Sequence, residues 1–151
     1  MSGPASTGVD GAEQAGAETA NAEFYAAFEA ADLDRMAAVW AEDPVTCVHP
    51  GWAALRGRNH VLRSWAVIMA NTSYIQFFLT DVETTVEGDI AVLTCTENIL
   101  TGGEDGQGSL ESARVMATNV FRRRGEDWRL FVHHGSPVIA PRTSAADGAP
   151  G

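Results

Sequence analysis

The chain has 151 residues, 45% of them apolar and 20% charged, which is enough for one domain with a real core and too few for two. Twenty acidic residues against ten basic ones, every one an Arg, give a formal charge of −10; such a surface repels phosphate backbones and excludes nucleic acid as an expected partner. No apolar run approaches the ~20 residues of a membrane span, and residues 1–20 lack the apolar centre of a signal peptide, so no membrane partner and a cytoplasmic location are expected.

Residues 1–16 and 138–151 are small, polar or Pro/Gly-rich and offer little to pack, which predicts two disordered tails around a domain at 17–137. Phe24, Ala27, Phe28 and Ala31 recur at helical spacing and predict a first helix over 17–31. Asp32 is placed to cap a second helix whose stripe is Leu33, Met36, Ala37 and Trp40, with Pro44 ending it. Residues 45–49 predict a short strand closed by Pro50-Gly51, and Val61, Leu62, Trp65, Ile68 and Met69 a third helix over 58–70. After Asn71 the period changes from helical to alternating. Strands are predicted at 74–86, 90–101, 110–123 and 128–137, joined by hairpin loops at 87–89, 102–109 and the arginine turn. Helices followed by an antiparallel meander mean α+β, with the helices on one face of the sheet.

Alternation assigns side chains to faces. Ala91, Leu93, Cys95, Glu97 and Ile99 share one face; Val115, Ala117, Asn119 and Phe121 share another; Trp128, Leu130, Val132 and His134 a third. Each apolar face carries one hydrogen-bonding residue, so Glu97, Asn119 and His134 are expected to converge on an apolar cavity with His133 outside, an assignment that a single β-bulge between Leu130 and His134 would reverse for the two histidines. That is the makeup of a small-molecule site. A solvent-facing side for Glu97 and Asn119 is the alternative. Trp52, after the Pro-Gly turn, and Tyr25, beside the first helical stripe, are candidate ligand contacts or plain packing residues. Met116, Val120, Phe131, Phe78 and Val82 make the opposite faces partly apolar, which predicts a second copy covering them as a homodimer.

Neighbouring His133 and His134 point to opposite sides of a strand, and neither His-x-x-x-His nor Cys-x-x-Cys occurs, so no metal site is expected. Nor is a cofactor, since no glycine-rich phosphate loop links a strand to a helix. Cys47 and Cys95 sit in apolar runs and are expected as buried free thiols.

Several stretches together carry a family resemblance: Phe24-Tyr25, the run Asp32 to Trp40, His49-Pro50-Gly51, Gly57-Arg58, Trp128-Arg129-Leu130 and His134-Gly135-Ser136. Over residues 17–137 the chain resembles the nuclear transport factor 2-like superfamily, in its SnoaL-like and ketosteroid isomerase-like branch; the kinase II association domain has a similar ending. The resemblance implies a cone-shaped curved sheet enclosing a pocket with three helices, pairing into dimers, and acid–base groups inside the cone. The matching positions are Glu97, His49 and His134, with Asn119 as a neutral donor. The chain departs from the steroid isomerases in lacking a Tyr with two Asp. One reading is then a cofactor-independent isomerase, cyclase, dehydratase or hydrolase acting on a small apolar molecule, with Glu97 moving the proton. The other is a non-catalytic ligand-binding or oligomerisation module, and a third leaves Glu97 in a buried packing network.

Overall fold

The computed structural model describes residues 3–103 and 109–139. Helices α1 (Gly3–Ala30) and α2 (Leu33–Val39) precede two short strands, β1 (Thr46–Val48) and β2 (Leu55–Arg56). Helix α3 (Arg58–Ala70) follows, and then the meander β3 (Tyr74–Glu87), β4 (Ile90–Gly102), β5 (Glu111–Arg124) and β6 (Asp127–Pro137). The strands form one curved, unclosed sheet in the order β2-β1-β6-β5-β4-β3, with the helices packed into its concave side. Among the described residues no helix is long and apolar enough to cross a membrane. The loop expected at 102–109 lies mostly, and the C-terminal tail from residue 140 wholly, outside the described residues.

Helix α1 reaches back to Gly3, well before the start expected at residue 17. Residues read as a tail dock on the β5–β6 hairpin. Glu13 pairs with Arg123 at 3.3 Å, and Gly16 lies so close to Trp128 that a Cβ there would stand 3.0 Å from its Cδ1. Ala17 is fully buried one residue later. Asp32 caps α2 as expected, its Oδ1 accepting the Arg35 amide at 3.1 Å. The far end of α2 is closed from α3, where the Arg58 guanidinium donates to the carbonyls of Ala37, Trp40 and Ala41. Trp40, Trp65, Phe24, Phe121, Met36, Leu93 and Leu130 fill the space between helices and sheet.

Two irregularities shape the sheet. In β3 the register against β4 shifts between Thr80 and Glu83, with Asp81 at φ 54°, and the strand bends around α1 there. On its outer edge β3 is met by α1: Glu29 accepts the Phe77 amide and Glu18 the Thr84 hydroxyl, both at 2.8 Å. In β6 the register against β5 shifts at Phe121, so that Val120 faces Val132 while Phe121 faces Leu130. Phe131 is the extra residue, half-buried under the Arg122 guanidinium, which lies 4.7 Å above its ring.

That one extra residue reverses the faces of everything after it. Trp128 and Leu130 point inward as expected, but His133 and Gly135 then take the inner side while His134 is exposed. The inward placement of His134 is therefore corrected: His133 occupies it. On β4 and β5 the pairing is regular, and the alternation places Glu97 and Asn119 inside, as read from the sequence. The β1–β2 pair and the parallel pairing of β1 with β6 were not expected, two or three residues being too short to show a period.

Gly135 tests this packing. A Cβ there would stand 3.0 Å from Val115 Cγ1 and 3.3 Å from Pro50 Cγ. Gly135→Val should destabilise the fold by about 1–3 kcal/mol through overpacking. His134→Val, one residue away on the exposed face, should change it by less than about 0.5 kcal/mol. Urea denaturation of the two variants measures the contrast, and equal effects would contradict the bulge.

Candidate functional site

A cavity of about 390 Å³ opens between α1, α3 and the concave face of the sheet. Its walls are apolar and largely aromatic, including Phe24, Phe28, Phe77, Ile68 and Ile99, with Trp52 at the mouth. Three chemically competent side chains face into it from different elements. Glu97 comes from the middle of β4, His133 from β6 just past the bulge, and His49 from the turn after β1. All three are buried.

A continuous hydrogen-bond chain lies under the floor. Asn119 of β5, fully buried, donates from Nδ2 to Asn21 Oδ1 at 2.8 Å and to the Tyr25 hydroxyl at 3.1 Å. Tyr25 in turn donates to Glu97 Oε2 at 2.5 Å, a short bond of the charge-assisted kind. The Asn119 carbonyl oxygen takes the Nδ1 proton of His133 at 2.6 Å. Separately, His49 Nε2 lies 2.9 Å from Ser64 Oγ, whose own proton goes to the Val61 carbonyl at 2.7 Å. The rings stack around these groups: His49 lies edge-on to Trp52 and Trp65, each with centroids 4.7 Å away, and Phe24 lies 4.9 Å from His133.

Burial governs the charge states. It raises the Glu97 carboxyl from 4.5 to about 7, and the Tyr25 hydrogen bond holds it from going higher. Burial lowers His49 to about 4. His133 falls to about 3, from burial first and then from the charges of His49 and His134. Both imidazoles are neutral at physiological pH. The Tyr25 phenol is raised far above its ordinary value by burial and by the adjacent Glu97, so it stays a donor. Cys47 and Cys95 are free, buried and pushed up to about 12 and about 11, chiefly by burial, which leaves both as inert thiols.

The residues singled out from the sequence divide as follows. Glu97, His49 and Tyr25 line the cavity, and Trp52, 45% exposed, forms its rim. Asn119 lies one layer behind, where it orients Tyr25 and His133, so its expected place as a ligand contact is corrected. His134 is outside and His133 takes its part. Ser64 and Asn21 went unrecognised, although each leaves a trace. Asn21 sits at i+4 from Ala17 and i−3 from Phe24 on the buried stripe of α1; Ser64 sits at i+3 from Val61 on that of α3. Among the described residues no cluster of three or more His, Cys, Asp or Glu is placed to hold a metal ion.

Residues 17–141 match the SnoaL-like domain family. The chain belongs to that family. Among solved structures it is similar to a candidate dehydratase of the NTF2-like family from Streptomyces avermitilis, with 48% identity over 85% of this chain and 97% of that one and a TM-score of 0.79. A candidate calcium/calmodulin-dependent protein kinase type II association domain from Thiobacillus denitrificans is 36% identical over 81% of this chain and 94% of that one, with a TM-score of 0.72. A ketosteroid isomerase-like protein from Erwinia carotovora shares the fold at 17% identity, covering 84% and 97% of the two chains with a TM-score of 0.70. The F-box protein SKIP8 of Arabidopsis thaliana is 25% identical over 120 residues, 79% of this chain and 48% of its own, so the SnoaL-like chain spans about half the length of that relative.

The raised Glu97 carboxyl has a measurable signature. Between 4.5 and about 7 the native state keeps a proton that the unfolded chain has lost, so this group makes stability fall as pH rises through that window, by roughly 3 kcal/mol, and level off above it. The two lowered imidazoles act with the opposite sign: their contribution is complete above 6.5 and is lost as pH falls toward about 4 and about 3. Glu97→Gln keeps both imidazoles, so its stability relative to wild type isolates the carboxyl and should increase from pH 4.5 to 7 in urea titrations. A difference that stays constant over that range would contradict a desolvated Glu97.

Proposed function

We propose that this SnoaL-like protein is a cofactor-independent acid–base enzyme that moves a proton to or from carbon on a small, largely apolar molecule. The observation that carries this reading is Glu97: one buried carboxyl, raised to about 7, facing an apolar cavity and held by the Tyr25 hydroxyl. A group with a pKa near the working pH is well matched to both halves of a proton transfer. Isomerisation through an enol, aldol cyclisation and loss of water β to a carbonyl all begin with such a step, and the 48% identical candidate dehydratase is in keeping with it. A pocket-holding binding or association module is the second reading, supported by the 36% identical association domain.

Deuterium exchange separates the two. Incubated in D2O with 2-tetralone and 6,7-dihydroxy-2-tetralone, whose carbons next to the carbonyl exchange slowly alone, the enzyme should accelerate exchange as read by proton NMR. The rate should rise with pH through about 7 as Glu97 ionises. Glu97→Gln should lose on the order of a hundredfold or more. Tyr25→Phe removes a bond that lowers the carboxyl, so the midpoint should move to higher pH. Exchange no faster than in buffer, with the probes still bound, would leave the module reading in place.

We also propose that the chain pairs with a second copy through the outer face of the sheet. Phe78 and Met116 are 50% and 44% exposed on that face, and a depression of about 530 Å³ runs along Phe78, Asn98, Leu100 and Arg114. Phe78→Glu with Met116→Glu should yield monomers in sedimentation velocity where the parent chain sediments as a dimer. A monomeric parent at micromolar concentration would refute the pairing.

A further inference from the structure

The register shift in β3 opens a second, smaller recess. Asp81 and Val82 stand against the single residue Cys95 of β4, since Thr80 pairs with Thr96 and Glu83 with Thr94. A pocket of about 310 Å³ lies there, between the kink and α1, and it shares no lining residue with the larger cavity. Leu79, Val82, Leu93 and Ala22 give it apolar walls, and Glu18 and Asn21 are its polar members. Asn21 is only 3% exposed, and its Oδ1 is turned inward to accept from Asn119. The other end of that amide, Nδ2, therefore points away from Asn119 and has no partner among the described residues. Nor is it sealed in the core, as the unpartnered indole nitrogens of Trp40 and Trp65 are. It opens onto the pocket.

We propose that this pocket is a second binding site, for a small neutral molecule that carries a carbonyl-type acceptor on an apolar body. The carbonyl takes a proton from Asn21 Nδ2, and the hydrocarbon lies on Leu79, Val82 and Leu93. A water molecule on Nδ2 would meet mostly hydrocarbon, short of the several polar partners that hold water well. An apolar molecule that brings its own acceptor displaces it at a gain. Glu18 sets the charge. Its carboxylate, which accepts from Thr84 Oγ1 at 2.8 Å and Gln14 Nε2 at 3.1 Å, stands at the pocket in a chain of formal charge −10, and this disfavours an anion. Ketones, esters and amides remain. The occupant touches the amide that holds Asn119, and through Asn119 also Tyr25 and His133, so the site adjoins the network under the cavity floor without opening into the cavity. Nothing in this site depends on the chemistry of Glu97.

Cyclohexyl methyl ketone, titrated into the full-length protein and followed by NMR, tests the site. The side-chain amide protons of Asn21 and the methyl groups of Leu79, Val82 and Leu93 should shift together and saturate, with a dissociation constant on the order of a millimolar. Val82→Phe fills the pocket from a position that is 43% exposed, so the fold should survive and binding should weaken at least about tenfold. Asn21→Asp keeps an oxygen for Asn119 but turns a lone pair toward the ketone where a donor stood, and should weaken binding by a similar factor. If Asn21→Asp fails to fold, the Asn21 amide shift in the parent chain and the Val82→Phe comparison still decide. Shifts confined to Ile68, Ile75 and Ile99 of the larger cavity, no saturable shift, or undiminished binding by Val82→Phe or by a folded Asn21→Asp would overturn the second site.

Discussion

One fully buried amide, Asn119, ties the domain to its chemistry. It lies in the middle of β5, fully shielded from bulk solvent, and both of its protons and its oxygen are satisfied by protein. Asn21 and Tyr25 on α1 and His133 on β6 meet that demand, which fixes how α1 lies across the sheet. A buried polar group left without its partner costs about 1–3 kcal/mol. Helix docking and the direction of every hydrogen bond at the cavity floor are thus set by the same few atoms. A looser core could not hold Tyr25 against Glu97 so closely.

Around that centre, apolar burial and hydrogen bonding pull Glu97 in opposite directions. Burial pushes the carboxyl upward and the Tyr25 hydroxyl restrains it, leaving it near 7, where neither form is strongly preferred. The imidazoles have no such counterweight. Both are driven far below neutrality and serve as hydrogen-bonding surfaces instead of charges. The division of labour follows from placement: a carboxyl touched by a phenol keeps its ability to titrate, and rings packed among Phe24, Trp52 and Trp65 lose it.

Most of the architecture was legible because the meander strands are long and β4 and β5 alternate without interruption. The pairing of β4 with β5 is regular, so counting by twos from Ala91 or Val115 reaches Glu97 and Asn119 on the buried face. The same count fails on β6, where Phe131 is an extra residue. Val132, His133 and His134 give no local hint of which way the strand will slip, because a bulge is decided by partners. Here Asn119 needs a donor, and His133 supplies it. Ser64 and Asn21 escaped notice for a related reason. A single polar residue on an apolar helical stripe looks like a flaw in the stripe until the group it bonds is known. The long start of α1 was hidden by composition: small, alanine-rich sequence suits a helix or a tail equally, and contact with Trp128 and Arg123 selects the helix.

The outer margin of β3 has a consequence for life in a crowded solution. It is the last strand on one side of an unclosed sheet, fourteen residues long, and a bare margin of that length is an invitation to cross-β association. Glu29 occupies the Phe77 amide, and Asp81 kinks the strand a few residues on. Further along, Glu18 holds Thr84. A foreign strand therefore meets a carboxylate where it seeks a free N–H, then a kink that throws it out of register, in a chain already strongly negative. The helix that seats the cavity also keeps the sheet from growing.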